Sequence, residues 1–350
     1  ALYEVFSKMV TSIKEETFSP CIAYTGTRPV EYAAVPLTMY STGADHLESY
    51  TSMSALLEHF YAEKNTLTRI RQKSSDLRRI VQTALERDIK KYDLQLAQMK
   101  DTEKREKYRI YGELLNTYGY SAKPGDKSLT AVNYYTNEPV TIPLNPTLSA
   151  TENAKKYFDK YGKLKRTYEA LSELTTQVKE EIDHLETIST ALDIALKEED
   201  LVEIKEELTQ SGYIRRKGGT KKAKITSKPF HYLSSDGFHI YVGKNNFQND
   251  ELTFKFANGN DWWFHAKGIP GSHVVVKTEG KELPDRTFEE AGRLAAYYSK
   301  GREQEKVEID YVQKKQVKKP AGAKPGFVVY YTNYSLMIDS DISGIEKISD

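Results

Sequence analysis

Asp261-Trp262-Trp263-Phe264-His265-Ala266-Lys267-Gly268-Ile269-Pro270-Gly271-Ser272-His273 reads as a strand, a Gly-Pro turn and the start of a second strand. Side chains alternate faces along a strand, so the two tryptophans fall on opposite sides of a sheet. One indole belongs to the core, and the other can line a surface with His265 and Lys267. Two tryptophans, two histidines and a lysine around one tight turn mark a binding surface rather than plain core.

The period of two continues outward from this block. Strands are predicted over 238–242, 252–256, 262–265, 273–276, 307–312 and 327–331. An amphipathic helix over 287–300 begins at Thr287, with Glu290 three residues on as in a capping box. These elements make a compact mixed α/β domain over 226–350. A basic linker over 212–225 precedes it and carries Arg215, Arg216, Lys217, Lys221 and Lys222. Asp200 is the predicted cap of a short helix over 201–208.

Further upstream the period becomes helical. Phe60, Leu67, Ile70, Leu77, Val81 and Ala84, then Leu85, Ile89, Tyr92, Leu96 and Met99 after a shift of frame, trace one helix from about Glu48 to Met99. Alternating steps of three and four are the seam of a coiled coil with one stutter. Ser52 is its candidate N-cap. A second run follows Pro146, with Ser149 or Thr151 as cap, and carries Tyr157, Leu164, Leu171, Val178, Leu185 and Leu192 in heptad spacing. Each helix is about 75 Å long at 1.5 Å per residue. Matched lengths predict an antiparallel hairpin over 48–211. Between the helices, Lys123-Pro124-Gly125-Asp126 is a turn and a short strand pair (131–135 with 141–142) forms a tip subdomain at about 105–148. Residues 1–47 hold short helical and strand-like pieces and read as the remnant of a preceding domain. The predicted class is α+β: a long antiparallel coiled-coil hairpin with a small tip subdomain, followed by a compact mixed α/β domain.

The totals agree. Apolar residues make up 39% and charged residues 29% of 350, a balance that suits long solvated helices. Cys21 is the single cysteine, so no intrachain disulfide forms, in keeping with a reducing compartment. No run of eighteen apolar residues occurs, so no membrane span is expected. The chain opens on Ala1-Leu2-Tyr3, which suggests a fragment. The net charge of +1 conceals a split: Gly212 to Ser335 holds 22 Lys and Arg against 13 Asp and Glu, a balance of +9, and the rest carries −8. A basic C-terminal domain on an acidic body points to a polyanionic partner.

The residues bear on four chemistries. His239, His265, His273 and Asp261 are close in sequence but lack the spacing of a zinc site, so satisfied or RNA-facing histidines are the better reading. Ser272 beside His273 suggests a nucleophile, yet adjacent strand residues face opposite ways and no GxSxG elbow exists. Neither Gly218-Gly219-Thr220-Lys221 nor Gly322-Ala323-Lys324-Pro325-Gly326 matches a phosphate-binding loop. No catalytic residue, metal or cofactor is implied, and a binding protein rather than an enzyme is expected. Lys314, Lys315, Lys318, Lys319 and Lys324, punctuated by Pro320 and Pro325 and followed by Tyr330, Tyr331, Asn333 and Tyr334, suit phosphate neutralisation and base stacking. A solvated charged loop followed by half-buried strand tyrosines fits the same residues equally well.

Three stretches carry a resemblance. They are 261–273, the helix Thr287-Phe288-Glu289-Glu290-Ala291-Gly292-Arg293-Leu294-Ala295-Ala296-Tyr297-Tyr298, and Val317-Lys318-Lys319-Pro320-Ala321-Gly322-Ala323-Lys324-Pro325-Gly326. Together they closely resemble the C-terminal RNA-binding domain of the NFACT family. Residues 50–61 and 153–158 look like that family's coiled-coil middle region. The resemblance implies ribosome-associated quality control: binding of the large ribosomal subunit and of tRNA or rRNA in the cytoplasm, and template-free alanine tailing of stalled chains by the full-length bacterial proteins. It also implies an alternative, since some members are described as anchorless surface proteins that bind fibronectin or fibrinogen. The RNA-contacting residues expected on this basis are Arg215, Arg216, Lys217, Lys221, Lys222, Trp263, His265, Lys267, Ser272, His273, Lys314, Lys315, Lys318, Lys319, Lys324, Tyr331 and Asn333.

Overall fold

A computed structural model describes residues 2–25, 28–37, 40, 45–216 and 227–349. The chain divides into two units, one of residues 1–82 and 186–350 and one of residues 83–185. Helix α1 (Leu2–Lys14) leads into strands β1 (Cys21–Thr25), β2 (Arg28–Ala33) and β3 (Asp45–Ser49), which form an antiparallel sheet with β1 in the centre. The sheet borrows its core from the next element. Ile22 and Tyr24 bury against Leu56 and Phe60 at the start of helix α2 (Met53–Asp101). Ser52 caps that helix as expected, its Oγ accepting from the Ala55 N–H at 3.2 Å.

Helices α2 and α4 (Ala150–Ile194) are the predicted pair, and each enters both units. Their antiparallel sense shows within residues 83–185, where Thr175 donates to the Met99 sulfur at 3.4 Å and, further on, Arg105 stacks on Tyr168 and Tyr108 on Tyr157; in the other unit Arg78 reaches the Leu192 carbonyl and the Asp193 carboxylate. Buried positions of α2 fall at Ile70, Ser74, Leu77, Val81, Ala84, Asp88 and Gln95. These steps of three, four and seven continue without a stutter. The expected shift of frame does not occur, since Ile89 and Leu96 are exposed. The packed helices keep their register and place Asp88 and Gln95 in the seam instead. Ser149 caps α4 in a full capping box: its Oγ accepts from the Glu152 N–H at 3.3 Å, and Glu152 accepts from the Ser149 N–H at 2.8 Å.

Between them lie α3 (Arg105–Tyr118) and the hairpin β4 (Ser128–Asn133) to β5 (Glu138–Pro143). Leu114, Leu115, Leu129, Ala131 and Ile142 bury together with Ala154 of α4. Gly112 is needed because a Cβ there would meet the Phe158 ring at 2.8 Å.

Helix α5 (Glu198–Gln210) starts earlier than expected. Asp200 is its third residue, and its carboxylate reaches back to the Leu196 and Lys197 N–H groups at 3.0 Å. The C-terminal domain then builds β6 (Phe230–Leu233), β7 (His239–Val242), α6 (Asn246–Glu251), β8 (Trp262–Ala266), β9 (Val274–Val276), α7 (Asp285–Tyr297), β10 (Val307–Gln313), β11 (Tyr334–Ile338) and β12 (Glu346–Ser349). Seven strands form one antiparallel sheet in the order β11-β10-β8-β9-β7-β6-β12. One face packs on Ala291, Leu294 and Ala295 of α7 through Phe264, Val274 and Val276. The other buries Trp263, Val275 and Val312 under Leu252 and Val317.

Three local expectations are corrected. Residues 252–256 alternate like a strand, but they continue α6 as a π-helical turn, closed by the Ala257 N–H on the Leu252 carbonyl. Asn245 starts that helix by accepting from the Gln248 N–H at 3.0 Å. Thr287 does not cap α7, which begins at Asp285 after Pro284. Its hydroxyl instead meets Asp236 at 2.8 Å while Glu290 accepts from Ser235, so both side chains pin the β6–β7 turn. Residues 327–331 form no strand but a single bridge, Val329 to Lys318, because Pro325 and Gly326 (φ 80°) turn the chain just before it. The edge strands are β11 and β12, and the sequence pattern misses both.

Candidate nucleic-acid interface

The candidate site is built on the sheet face opposite α7. Trp263, His265 and Lys267 share that face, as their spacing of two requires. Trp263 is fully buried, its ring 5.6 Å from His265, 5.0 Å from His273 and 5.2 Å from Tyr330. It has no surface left for a base to stack on. The two histidines hold backbone. His265 bonds to the Gly271 carbonyl across the turn, and burial pushes its pKa down to about 4. His273 bonds to Thr253 Oγ1 at 2.8 Å and to the backbone of Gly326, and burial drives its pKa well down. Ser272 is buried too, with its N–H on the Tyr298 carbonyl. Beneath, Asp310 faces His265 across the strands and accepts from Tyr330 at 2.9 Å and Ser335 at 2.6 Å.

The basic run emerges from β10 and closes into a loop. Lys318 and Val329 exchange two backbone hydrogen bonds of 2.9 Å at its neck. Lys315 and Lys318 are exposed. Lys314 is half-buried with its ammonium 5.8 Å from the Phe254 ring centre. Lys319 pairs with Asp250 of α6, and the Lys324 ammonium is buried. Past the neck, Tyr331 is 84% exposed, and Asn333 is half-buried with its amide 3.4 Å from Ser335. Phe327 is 49% exposed on the same loop. The sequence pattern assigns Phe327 to a strand, although its place directly after Pro325-Gly326 signals a turn.

The remaining predicted residues divide. Lys267 is exposed but paired with Glu308 at 2.6 Å, which raises its pKa. Arg215 is exposed, and Arg216 pairs with Glu206 of α5. Lys217, Lys221 and Lys222 lie outside the described residues. The structure therefore brings Lys314, Lys315, Lys318 and Lys319 into one stretch of chain with Phe327 and Tyr331. Trp263 and His273 back that stretch, Trp263 through Val317 and Tyr330 and His273 through Gly326, while Ser272 bonds to Tyr298 instead.

The suspected metal set does not assemble. His239 pairs with His231 at 2.9 Å, His265 stands edge-on to His273, and Asp261 holds Lys277 and the Thr278 N–H. Among the described residues no three side chains of metal-ligand type come together. No helix in the described residues is long and apolar enough to cross a membrane. The arrangement offers exposed cations, two exposed rings and a rigid backing, which is the equipment of a polyanion contact.

Comparison with known proteins agrees with this geometry. Residues 1–227 match the model of the NFACT N-terminal and middle domains, and residues 228–331 match the NFACT protein RNA binding domain. The Rqc2 homolog RqcH of Streptococcus pneumoniae is 38% identical over 346 residues, covering 99% of this chain and 60% of that protein. The Rqc2 homolog RqcH of Bacillus subtilis is 36% identical over 349 residues, covering 97% and 59%. This chain thus spans about 60% of the length of both relatives. A solved structure, the C-terminal part of the fibronectin/fibrinogen-binding protein from Streptococcus suis, aligns with a TM-score of 0.64 at 37% identity, over 79% of this chain and 99% of that one. With both family models in sequence across 331 of its residues, and the second spanning the basic loop and its backing, the chain belongs to the NFACT family.

Proposed function

We propose that this chain is the ribosome- and RNA-contacting portion of a ribosome-associated quality control factor. In the full-length protein it would bind the large ribosomal subunit and its tRNA or rRNA in the cytoplasm, and support alanine tailing of stalled chains. Its own role is binding. The observation that carries the reading is the loop over 314–331, where exposed Lys315 and Lys318 stand with exposed Phe327 and Tyr331 in the segment matched by the RNA-binding model. Lysines neutralise phosphates whatever the sequence, and aromatic rings accept any unpaired base. The hairpin supports the same reading as a spacer between contacts, and we propose domain limits of 48–211 for the arm and 226–350 for the RNA-binding domain.

The test is co-sedimentation of the chain with purified large ribosomal subunits. The double variant Lys315→Glu/Lys318→Glu should bind at least about tenfold more weakly at fixed salt, since two phosphate contacts are lost and two repulsions gained. Unchanged binding would remove the loop from the interface. The name of the Streptococcus suis structure favours a second reading, an adhesin for fibronectin or fibrinogen. Free RNA in excess separates the two: it should displace the chain from subunits, whereas an adhesin contact to immobilised fibronectin would survive it.

A further inference from the structure

We propose that Asp250 is a positioning residue for the RNA interface, an acidic group that strengthens polyanion binding by fixing the shape of the basic loop. The inference rests on the reading of 314–331 as an RNA contact and adds a residue outside that segment. The loop from Lys318 to Val329 has little to hold it together by itself. It contains two prolines, two glycines at positive φ and three lysines that repel one another, and no residue of it between 319 and 328 is fully buried. Its neck is closed by the Lys318–Val329 bridge. Within its body one side chain joins the two limbs. The Asp250 carboxylate takes the Lys319 ammonium on Oδ2 and accepts the Gly326 N–H on Oδ1 at 3.0 Å, so the two limbs of the loop meet on a single group.

The surroundings make this grip specific. Asp250 sits near the end of α6, whose start is fixed by the Asn245 cap. Gly326 lies so close to Asn246 that a Cβ would come within 2.3 Å of its Oδ1, and its φ of 80° disfavours any other residue. His273, itself buried, also bonds to the Gly326 backbone. Gly326 is thus held by Asp250 and His273, and Asn246 leaves no room there for a Cβ. Fixing it fixes where Phe327 leaves the loop and, through the neck, where Lys318 points. An interface ordered before it binds loses less conformational entropy on binding.

The prediction has a sign opposite to that of simple electrostatics. Removing a carboxylate from a basic face should tighten RNA binding if charge alone decides. Asp250→Ala should instead weaken binding of a fluorescein-labelled twelve-nucleotide single-stranded RNA, by about five- to tenfold. The charge-balanced double variant Asp250→Ala/Lys319→Ala should not recover, because the Gly326 anchor is still missing. Hydrogen exchange should accelerate in the peptide containing Gly326 while the β8 and β10 peptides stay protected, which separates a loosened loop from an unfolded domain. Gly326→Ala, acting on the same anchor without a change of charge, should weaken binding in the same direction. Tighter or unchanged binding by Asp250→Ala, or full recovery in the double variant, would overturn the proposal. Lys318→Glu keeps the two ideas apart: if it binds RNA like wild type, the RNA reading of the loop fails whatever Asp250 does, and if it alone weakens binding, the reading stands and the clamp fails.

Discussion

His265 and His273 sit 5.5 Å apart, yet they hold different parts of the chain. One braces the Gly271 turn and the other the basic loop, and both are neutral at pH 7 because burial disfavours their charged forms. Their folded pKa values lie below the unfolded value near 6.5, so the unfolded chain binds more protons as pH falls. Stability from these groups is full above about pH 6.5 and is lost as the pH falls below it, for His265 progressively toward pH 4. His265→Gln removes one such linkage. Between pH 6 and 4.5 its unfolding free energy should fall less steeply than wild type, by up to about 1.4 kcal/mol per pH unit. Denaturant titrations at three pH values would show this, and parallel pH profiles would refute it. The sequence pattern places His265 on one face with Lys267 and one of the two tryptophans, and His273 across the turn. It left open whether they touch RNA or brace the turn, because that depends on what covers the face. The cover comes from residues 317–330, over forty positions away, and no local pattern reports it.

At the level of elements, the helices were legible and their seam only partly so. Hydrophobic spacing located α2 and α4 to within a few residues because long periodic runs leave little ambiguity. It went astray at 85–96, where Leu85, Ile89 and Leu96 suggest a new frame. A register shift would have to be matched by the partner helix, and α4 keeps its own heptads through Leu171, Val178 and Leu185. The cost of holding register is a polar seam. Gln95 is 7% exposed and its Oε1 has no hydrogen-bond partner. Gln95→Leu should therefore stabilise the hairpin by roughly 1 kcal/mol, by removing an unsatisfied polar atom and adding apolar burial. Thermal denaturation checks this, and a lower midpoint would show that Gln95 is satisfied in solution. The strand errors at 252–256 and 327–331 share a cause. Alternation over five residues is a weak signal, and in both places a specific start or stop nearby overrides it: the Asn245 cap in one, the Pro325-Gly326 turn in the other.

For the molecule as a whole, the charge division is the feature that composition disclosed and the structure refines. The +9 carried between Gly212 and Ser335 is not spread evenly in effect. Arg216, Lys267, Lys277 and Lys319 are matched by Glu206, Glu308, Asp261 and Asp250. Lys315 and Lys318 stand exposed at the mouth of the loop, so a few cations carry much of the expected interaction. The chain spans about 60% of the length of its relatives, and the proposed tailing role belongs to the longer protein. The RNA contact belongs to the portion in hand and is testable in it. The most direct measurement is the salt dependence of binding to a short single-stranded RNA, for wild type and for Lys315→Gln/Lys318→Gln. Each lost phosphate contact should lower the slope of log K against log salt by about 0.7, so the double variant should be shallower by about 1.4. Superimposable slopes would contradict the assignment of the RNA contact to this loop.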